Sequence, residues 1–160
     1  MKTVKFGIIG CGLMGREFAS AVARWCHLTD MQVRPEIVAI SDINPGLFDW
    51  YTEHFDSIEL ATTDYAELLG RKDVEAVYCA VPHNLHQKIY CDIIKAGKHL
   101  FGEKPFGIDK AANAAINACA AKNPKVFVRC CSQFPFFPGV QRMADMVEAN
   151  AARRGRMRSE

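Results

Sequence analysis

Residues 99–107 read H-L-F-G-E-K-P-F-G: an apolar pair, a glycine, then Glu103 and Lys104 side by side before Pro105. A carboxylate beside an ammonium can move protons or steady charge on an oxygen, provided the pair faces a cleft. Three other clusters carry chemistry. Gly10-Cys11-Gly12-Leu13-Met14-Gly15 follows an apolar run near the N-terminus, and a turn of that spacing opening a helix aims unpaired N–H groups at a phosphate. Ser41-Asp42 ends another apolar run, where an acid accepts hydrogen bonds from ribose hydroxyls and repels a 2′-phosphate. Val81-Pro82-His83-Asn84-Leu85-His86 ends a further one with two histidines and an amide.

Each cluster sits where a short apolar run stops, so the runs must position them. Residues 4–10, 36–41, 57–61, 76–81, 98–102 and 125–131 read as strands. Most are apolar on successive residues, as in strands covered on both faces. Residues 13–27, 45–55, 64–71, 84–96 and 109–122 read as helices, with a last one over about 137–151. Pro45 suits a first helical turn, Asp64 an N-cap, and Gly97 a C-terminal stop. The polar stretch 27–36 reads as an extended surface loop. Strict alternation of strand and helix predicts an α/β fold: a doubly wound parallel sheet with right-handed crossovers, layered between helices as a three-layer sandwich. No internal repeat or low-complexity segment interrupts it, and residues 1–150 read as one domain.

Bulk properties exclude several classes. At 160 residues the chain can bury about 70% of its unfolded surface as a single domain. Net charge is +2, but Arg153, Arg154, Arg156 and Arg158 crowd the C-terminus. Without them the body is slightly acidic, so no nucleic-acid footprint exists. Seven cysteines at irregular spacing, with no C-x-x-C pair, argue against a metal site and for a reducing cytoplasm. The apolar run before Cys11 is too short for a signal sequence, and no stretch approaches a membrane span.

The glycine turn is the most informative element. Gly10 permits a tight turn, Gly12 a close approach of pyrophosphate to backbone, and Gly15 close packing of helix on strand. With Asp42 this order is that of a dinucleotide-binding Rossmann fold, with NAD favoured over NADP. Asp42 comes later than the usual spacing of about twenty residues, and it also suits a simple turn cap before Asn44-Pro45. An S-adenosylmethionine-binding methyltransferase shares the glycine turn and the acid, but not the later motifs.

Taken in order, strand-G-x-G-x-x-G, S-D, V-P-x-x-x-H, A-G-K-H and E-K-P resemble the Gfo/Idh/MocA oxidoreductases, the family of glucose-fructose oxidoreductase and inositol 2-dehydrogenase. The resemblance runs to about residue 150, and A-G-K-H-L-F-G-E-K-P is its most specific part. It implies that Lys104 points at nicotinamide and the substrate hydroxyl, with Glu103 and Pro105 shaping that corner. It places Pro82, His83, Asn84 and His86 along the cofactor, with Val81 at the strand end. His86 stands beside Lys104 as a candidate catalytic group, although a histidine opening a helix equally well caps or packs. Gln133 occupies a position near the nicotinamide.

Members of the family are about twice this length, with a second, mostly antiparallel domain that forms the substrate pocket. The sequence reads as a nucleotide-binding half followed by a basic tail, 151–160, of the kind left by truncation, frameshift or cloning. The implied activity is hydride transfer between nicotinamide and a secondary alcohol of a sugar, cyclitol or related polyol. Turnover by this chain alone is not expected. A non-catalytic NAD-binding sensor or subunit, and an NAD-dependent glycosidase relative that oxidises its substrate transiently, are the alternatives. F-P-F-F-P-G at 134–139 is the obvious exposed apolar surface, which favours self-association; oligomeric state stays open.

Overall fold

A computed structural model of the chain describes residues 1–156. Six parallel strands form one sheet in the order β3-β2-β1-β4-β5-β6, with β1 Lys2–Ile9, β2 Val33–Ser41, β3 Leu60–Thr62, β4 Ala76–Cys79, β5 His99–Gly102 and β6 Val128–Cys130. The helices are α1 Leu13–Ala23, α2 Phe48–His54, α3 Tyr65–Gly70, α4 His86–Lys95, α5 Lys110–Ala121 and α6 Pro138–Arg156. The expected doubly wound sheet is therefore the observed one. Strand order reverses between β1 and β4, and at that point the carboxyl ends of the strands diverge into a crevice.

Two apolar clusters lie on opposite faces of the sheet. On one, Ala19 and Val22 of α1 and Tyr51 of α2 pack on Ile8, Ile37, Ile40 and Tyr78. On the other, Leu68 of α3, Ile89 and Ile93 of α4 and Ile116 of α5 pack on Ile9, Val77 and Leu100. Full burial of such a side chain is worth about 1.5–3 kcal/mol, against about 0–1 kcal/mol for a surface ion pair. The two cores, rather than the ion pairs, hold the sheet. One irregularity interrupts it: Phe6 pairs with Ile37 but Gly7 with Ala39, leaving Val38 as an extra residue. Val38 and Ala39 consequently join the same cluster.

Element boundaries differ from the sequence expectation in several places: β1 starts at Lys2, β4 stops at Cys79 and β6 spans only Val128–Cys130. Residues 33–36, expected within a surface loop, belong to β2 and pair with residues 2–5 of β1. There β2 has no partner on its other side, since β3 begins opposite Ala39, so Pro35 costs the ladder nothing. Residues 57–59, expected in β3, precede it; Ser57 Oγ donates to the Ile37 carbonyl at 2.8 Å and Glu59 N to that of Val38 at 2.9 Å. The first helix stops at Ala23 and gives way to a 3-10 turn, Trp25–His27; similar turns, Pro45–Leu47 and His83–Leu85, precede α2 and α4. Finally, α6 runs to Arg156, past the expected end near 151, so part of the supposed tail is helical and 157–160 lie outside the described residues.

Several local signals hold. Asp64 Oδ1 accepts from Ala66 N at 2.9 Å to start α3, and Gly97 takes a φ of +75° after α4, a left-handed stop that glycine adopts without strain. Phe134, Phe136 and Phe137 are exposed, as are Met143, Met146 and Val147 on α6. No described helix is long and apolar enough to cross a membrane.

Candidate dinucleotide site

The crevice at the β1/β4 switch point has a volume of about 460 Å³. Gly10, Gly12, Ser41, Asp42, Val81 and Pro82 contribute to its lining. Its floor is the glycine turn, and the geometry there explains each glycine. Gly10 has a φ of +97°, and a Cβ on it would meet the Ala80 carbonyl oxygen at 2.5 Å. A Cβ on Gly15 would lie 2.3 Å from the Gly10 oxygen and 2.6 Å from Tyr51 Oη, so only glycine lets α1 sit this close to β1. Over Gly12 there is nothing within 4 Å: the space is open to a ligand. No side chain caps α1, leaving its first N–H groups and the positive end of its dipole facing that space. Leu13 and Met14 flank it as exposed side chains.

Asp42 closes the other end. One carboxylate oxygen accepts from Cys11 N at 2.7 Å, the other from Asn44 N at 2.9 Å. Asp42 thus caps the turn before Pro45 and also lines the crevice. An ionised carboxylate has about four acceptor positions, so both oxygens can still receive hydroxyl donors. Cys11 itself points away from the crevice. Its side chain is fully buried, with Sγ 3.6 Å from the Ser41 carbonyl. Burial, helped by the charge on Asp42, pushes its thiol up to about 12, which makes it inert. Ser41 is also buried, and its carbonyl accepts from Gly10 N at 2.9 Å. Cys11 holds the turn without presenting its side chain to a ligand, whereas Ser41 holds it through its carbonyl and lines the crevice.

At the mouth, the E-K-P corner separates its two charges. Glu103 is half-buried: Tyr78 Oη donates to Oε1 at 2.8 Å, Lys104 N donates to Oε2 at 3.1 Å, and Tyr90 Oη donates to its carbonyl at 2.9 Å. Burial and the neighbouring carboxylate push the Tyr78 hydroxyl well above its usual range, so it stays a donor. Lys104 and Pro105 are exposed, the peptide between them is cis, and the ammonium of Lys104 forms no ion pair among the described residues. The simple alternative, a lysine that only neutralises Glu103, does not describe this corner.

The remaining expected residues divide. His83 and Asn84 lie exposed in the 3-10 turn before α4, where Leu85, not singled out from sequence, lines the crevice. Gln133 is exposed beyond β6. His86, expected in the cleft, is fully buried, with both ring nitrogens on backbone carbonyls. Sequence reading also missed Tyr78 and Tyr90. Their signal was available: a tyrosine within an apolar strand or helix must find a partner for its hydroxyl, and Gly102 marks the close approach of the Tyr90 ring, 2.7 Å from where a Cβ would stand.

Comparison with known proteins agrees with this geometry. Residues 4–130 match the Gfo/Idh/MocA family model, described as an oxidoreductase family with an NAD-binding Rossmann fold. The uncharacterised oxidoreductase YrbE of Bacillus subtilis is 33% identical over 116 residues, which is 71% of this chain and 31% of that protein. Scyllo-inositol dehydrogenase from Lactobacillus casei, solved with NAD(H) and scyllo-inositol, superposes with a TM-score of 0.78 at 25% identity, over 94% of this chain and 42% of the other. KijD10, a 3-ketoreductase from Actinomadura kijaniata solved with NADP and TDP-benzene, gives 0.75 at 26% identity, over 92% and 43%. The chain thus spans well under half the length of these relatives. A family match over most of its residues, on a fold whose glycine turn and switch-point crevice suit a dinucleotide, places this chain in the Gfo/Idh/MocA oxidoreductase family as its NAD-binding Rossmann domain.

Proposed function

We propose that the chain holds NAD in the switch-point crevice and serves the transfer of hydride to or from a secondary alcohol of a sugar, cyclitol or related polyol. Nicotinamide supplies the hydride acceptor when bound. The residues present fit such a group: Gly12 leaves open space above the backbone, α1 offers uncapped N–H groups for the pyrophosphate, and Asp42 stands ready for ribose hydroxyls. A 2′-phosphate would meet the Asp42 carboxylate, which favours NAD over NADP.

The observation that carries the catalytic reading is the separation of charges at Glu103 and Lys104. Glu103 is engaged by Tyr78 and by the Lys104 amide, so it fixes the corner. The Lys104 ammonium, unpaired and exposed at the same sheet edge as the crevice, steadies developing charge on the substrate oxygen and relays its proton. Family resemblance supports assigning Gln133, His83 and Asn84, all exposed, to the nicotinamide end. All seven cysteines are free, which suits a reducing cytoplasm. Substrate choice and turnover belong to the whole protein.

Fluorescence titration tests the cofactor part, with energy transfer from Trp25 and Trp50 to NADH or NADPH as the readout. Saturable binding that prefers NADH, and a preference that shrinks in Asp42→Ala, is the expected result. Equal affinity for NADPH overturns the role of Asp42, and no binding by the folded chain overturns the site.

A further inference from the structure

The two motifs at the cleft mouth come from different strands, yet one side chain ties them together. His86 has no exposed surface. Its Nδ1 lies 2.7 Å from the Pro105 carbonyl oxygen and its Nε2 3.0 Å from that of Val81. Val81 follows β4 and Pro105 follows β5, so the ring spans the gap between adjacent strand ends. One turn further along α4, on the same face, Tyr90 stacks on the His86 ring with centroids 4.6 Å apart and donates to the Glu103 carbonyl. The backbone on both sides of Lys104 is therefore gripped from α4: Glu103 by Tyr90, Pro105 by His86.

We propose that His86 is a positioning residue, which sets the backbone of Lys104 against the Val81-Pro82 corner and so fixes the direction from which the ammonium enters the cleft. The consequence for chemistry rests on the proposed role of Lys104; the tie itself does not. Histidine suits the place because its two nitrogens lie on different sides of one flat ring. A carbonyl only accepts, so a neutral ring, with its one N–H, bonds one of the two carbonyls at a time and reaches the other as its tautomer exchanges. Phenylalanine would fill the same space and keep the stacking on Tyr90 while offering neither carbonyl a donor. Glutamine would lose the ring but keep an N–H donor. A residue that only packs tolerates the first change better than the second, and a residue that ties tolerates the second better.

Amide exchange and lysine reactivity, followed by mass spectrometry on the chain with His86→Phe or His86→Gln, separate these cases. In His86→Phe, exchange over residues 103–109 should rise about fivefold, the effect of losing one hydrogen bond of ordinary net strength, while β1 and α5 keep their protection. NADH should slow acetylation of Lys104 in the parent chain, fail to do so in His86→Phe, and regain part of the effect in His86→Gln. Unchanged exchange over 103–109 in His86→Phe overturns the proposal, as does His86→Gln behaving no better than His86→Phe. Should His86→Phe not fold, the parent decides: a His86 ring N–H that exchanges with water as slowly as core amides supports the tie, and one at the bulk rate overturns it. Loosened exchange in His86→Phe, with Lys104 unprotected even in the NADH-bound parent, removes the role of Lys104 and leaves the tie standing.

Discussion

Among the described residues, Tyr51 has the least comfortable hydroxyl. It is fully buried, and its Oη has no hydrogen-bond partner although it lies beneath the glycine turn, near Gly15. A buried unpaired hydroxyl costs about 1–3 kcal/mol, while the ring packs edge-on against Trp50 at 4.9 Å. Tyr51→Phe keeps that packing and removes the cost, so urea denaturation should give a variant more stable by about 1 kcal/mol. A loss of stability instead would reveal a partner for the hydroxyl, such as an ordered water under the turn. Legibility at this scale was uneven. Gly10 and Gly15 were readable because their roles are set by backbone geometry, which local spacing encodes. The burial of His86 was not, because its partners, the carbonyls of Val81 and Pro105, come from strand ends 5 and 19 positions away. The inward turn of the Cys11 side chain was equally hidden, because its partner, the Ser41 carbonyl, is 30 positions away.

The glycine turn and α1 act as one element, and two of its glycines should respond oppositely to the same change. Gly15→Ala drives a methyl into the Gly10 carbonyl and Tyr51 Oη. Overpacking of that kind costs about 1–3 kcal/mol, so the variant should lose stability and NADH binding together. Gly12→Ala meets no protein atom within 4 Å. Its melting temperature should stay near that of the parent while its methyl occupies the ligand's space, so NADH affinity alone should fall. Thermal melts beside NADH titrations of the two variants check this; a Gly12→Ala chain that binds NADH normally would mean that no phosphate approaches there. The same element shows why strand existence was legible and strand ends were not. The apolar runs at 4–10 and 76–81 announce β1 and β4 by composition. The start of β2 depends instead on β1 offering partners to residues 33–36, a pairing no local pattern carries. Trp25–His27 leaves α1 for a 3-10 turn, and Arg34, from β2, lies over the Trp25 ring at 5.7 Å.

Over the whole molecule, charge is distributed asymmetrically. Lys2–Glu75, Lys5–Asp73, Arg71–Glu59 and Arg71–Asp73 gather at the amino edge of the sheet, opposite the crevice, where Lys88 of the lining pairs with Asp92. Hydrogen bonds from Arg71 hold the Asp73 carboxyl down at about 2, against its ordinary 3.8. A depressed folded value means that the contribution is complete above about pH 4 and lost as pH falls toward 2. Urea midpoints should therefore drop between pH 4 and 2, less steeply in Asp73→Asn, and the difference should shrink in high salt because the pair is partly exposed. Apolar surface is asymmetric too. Phe134 and Phe136, at 59% and 66% exposure, continue into Met143, Met146 and Val147 on α6, all on the segment that leaves the sheet after β6. Scattered exposed hydrophobes are ordinary, but six within 14 residues, Phe137 included, concentrate exposed apolar surface on one segment, which favours association. Sedimentation velocity should show a mass that rises with protein concentration, and Phe134→Ser combined with Phe136→Ser should return the chain toward the monomer. Neither residue belongs to the core clusters, so the double variant should melt close to the parent; concentration-independent monomer in the unsubstituted chain would show that this surface is covered within the molecule itself.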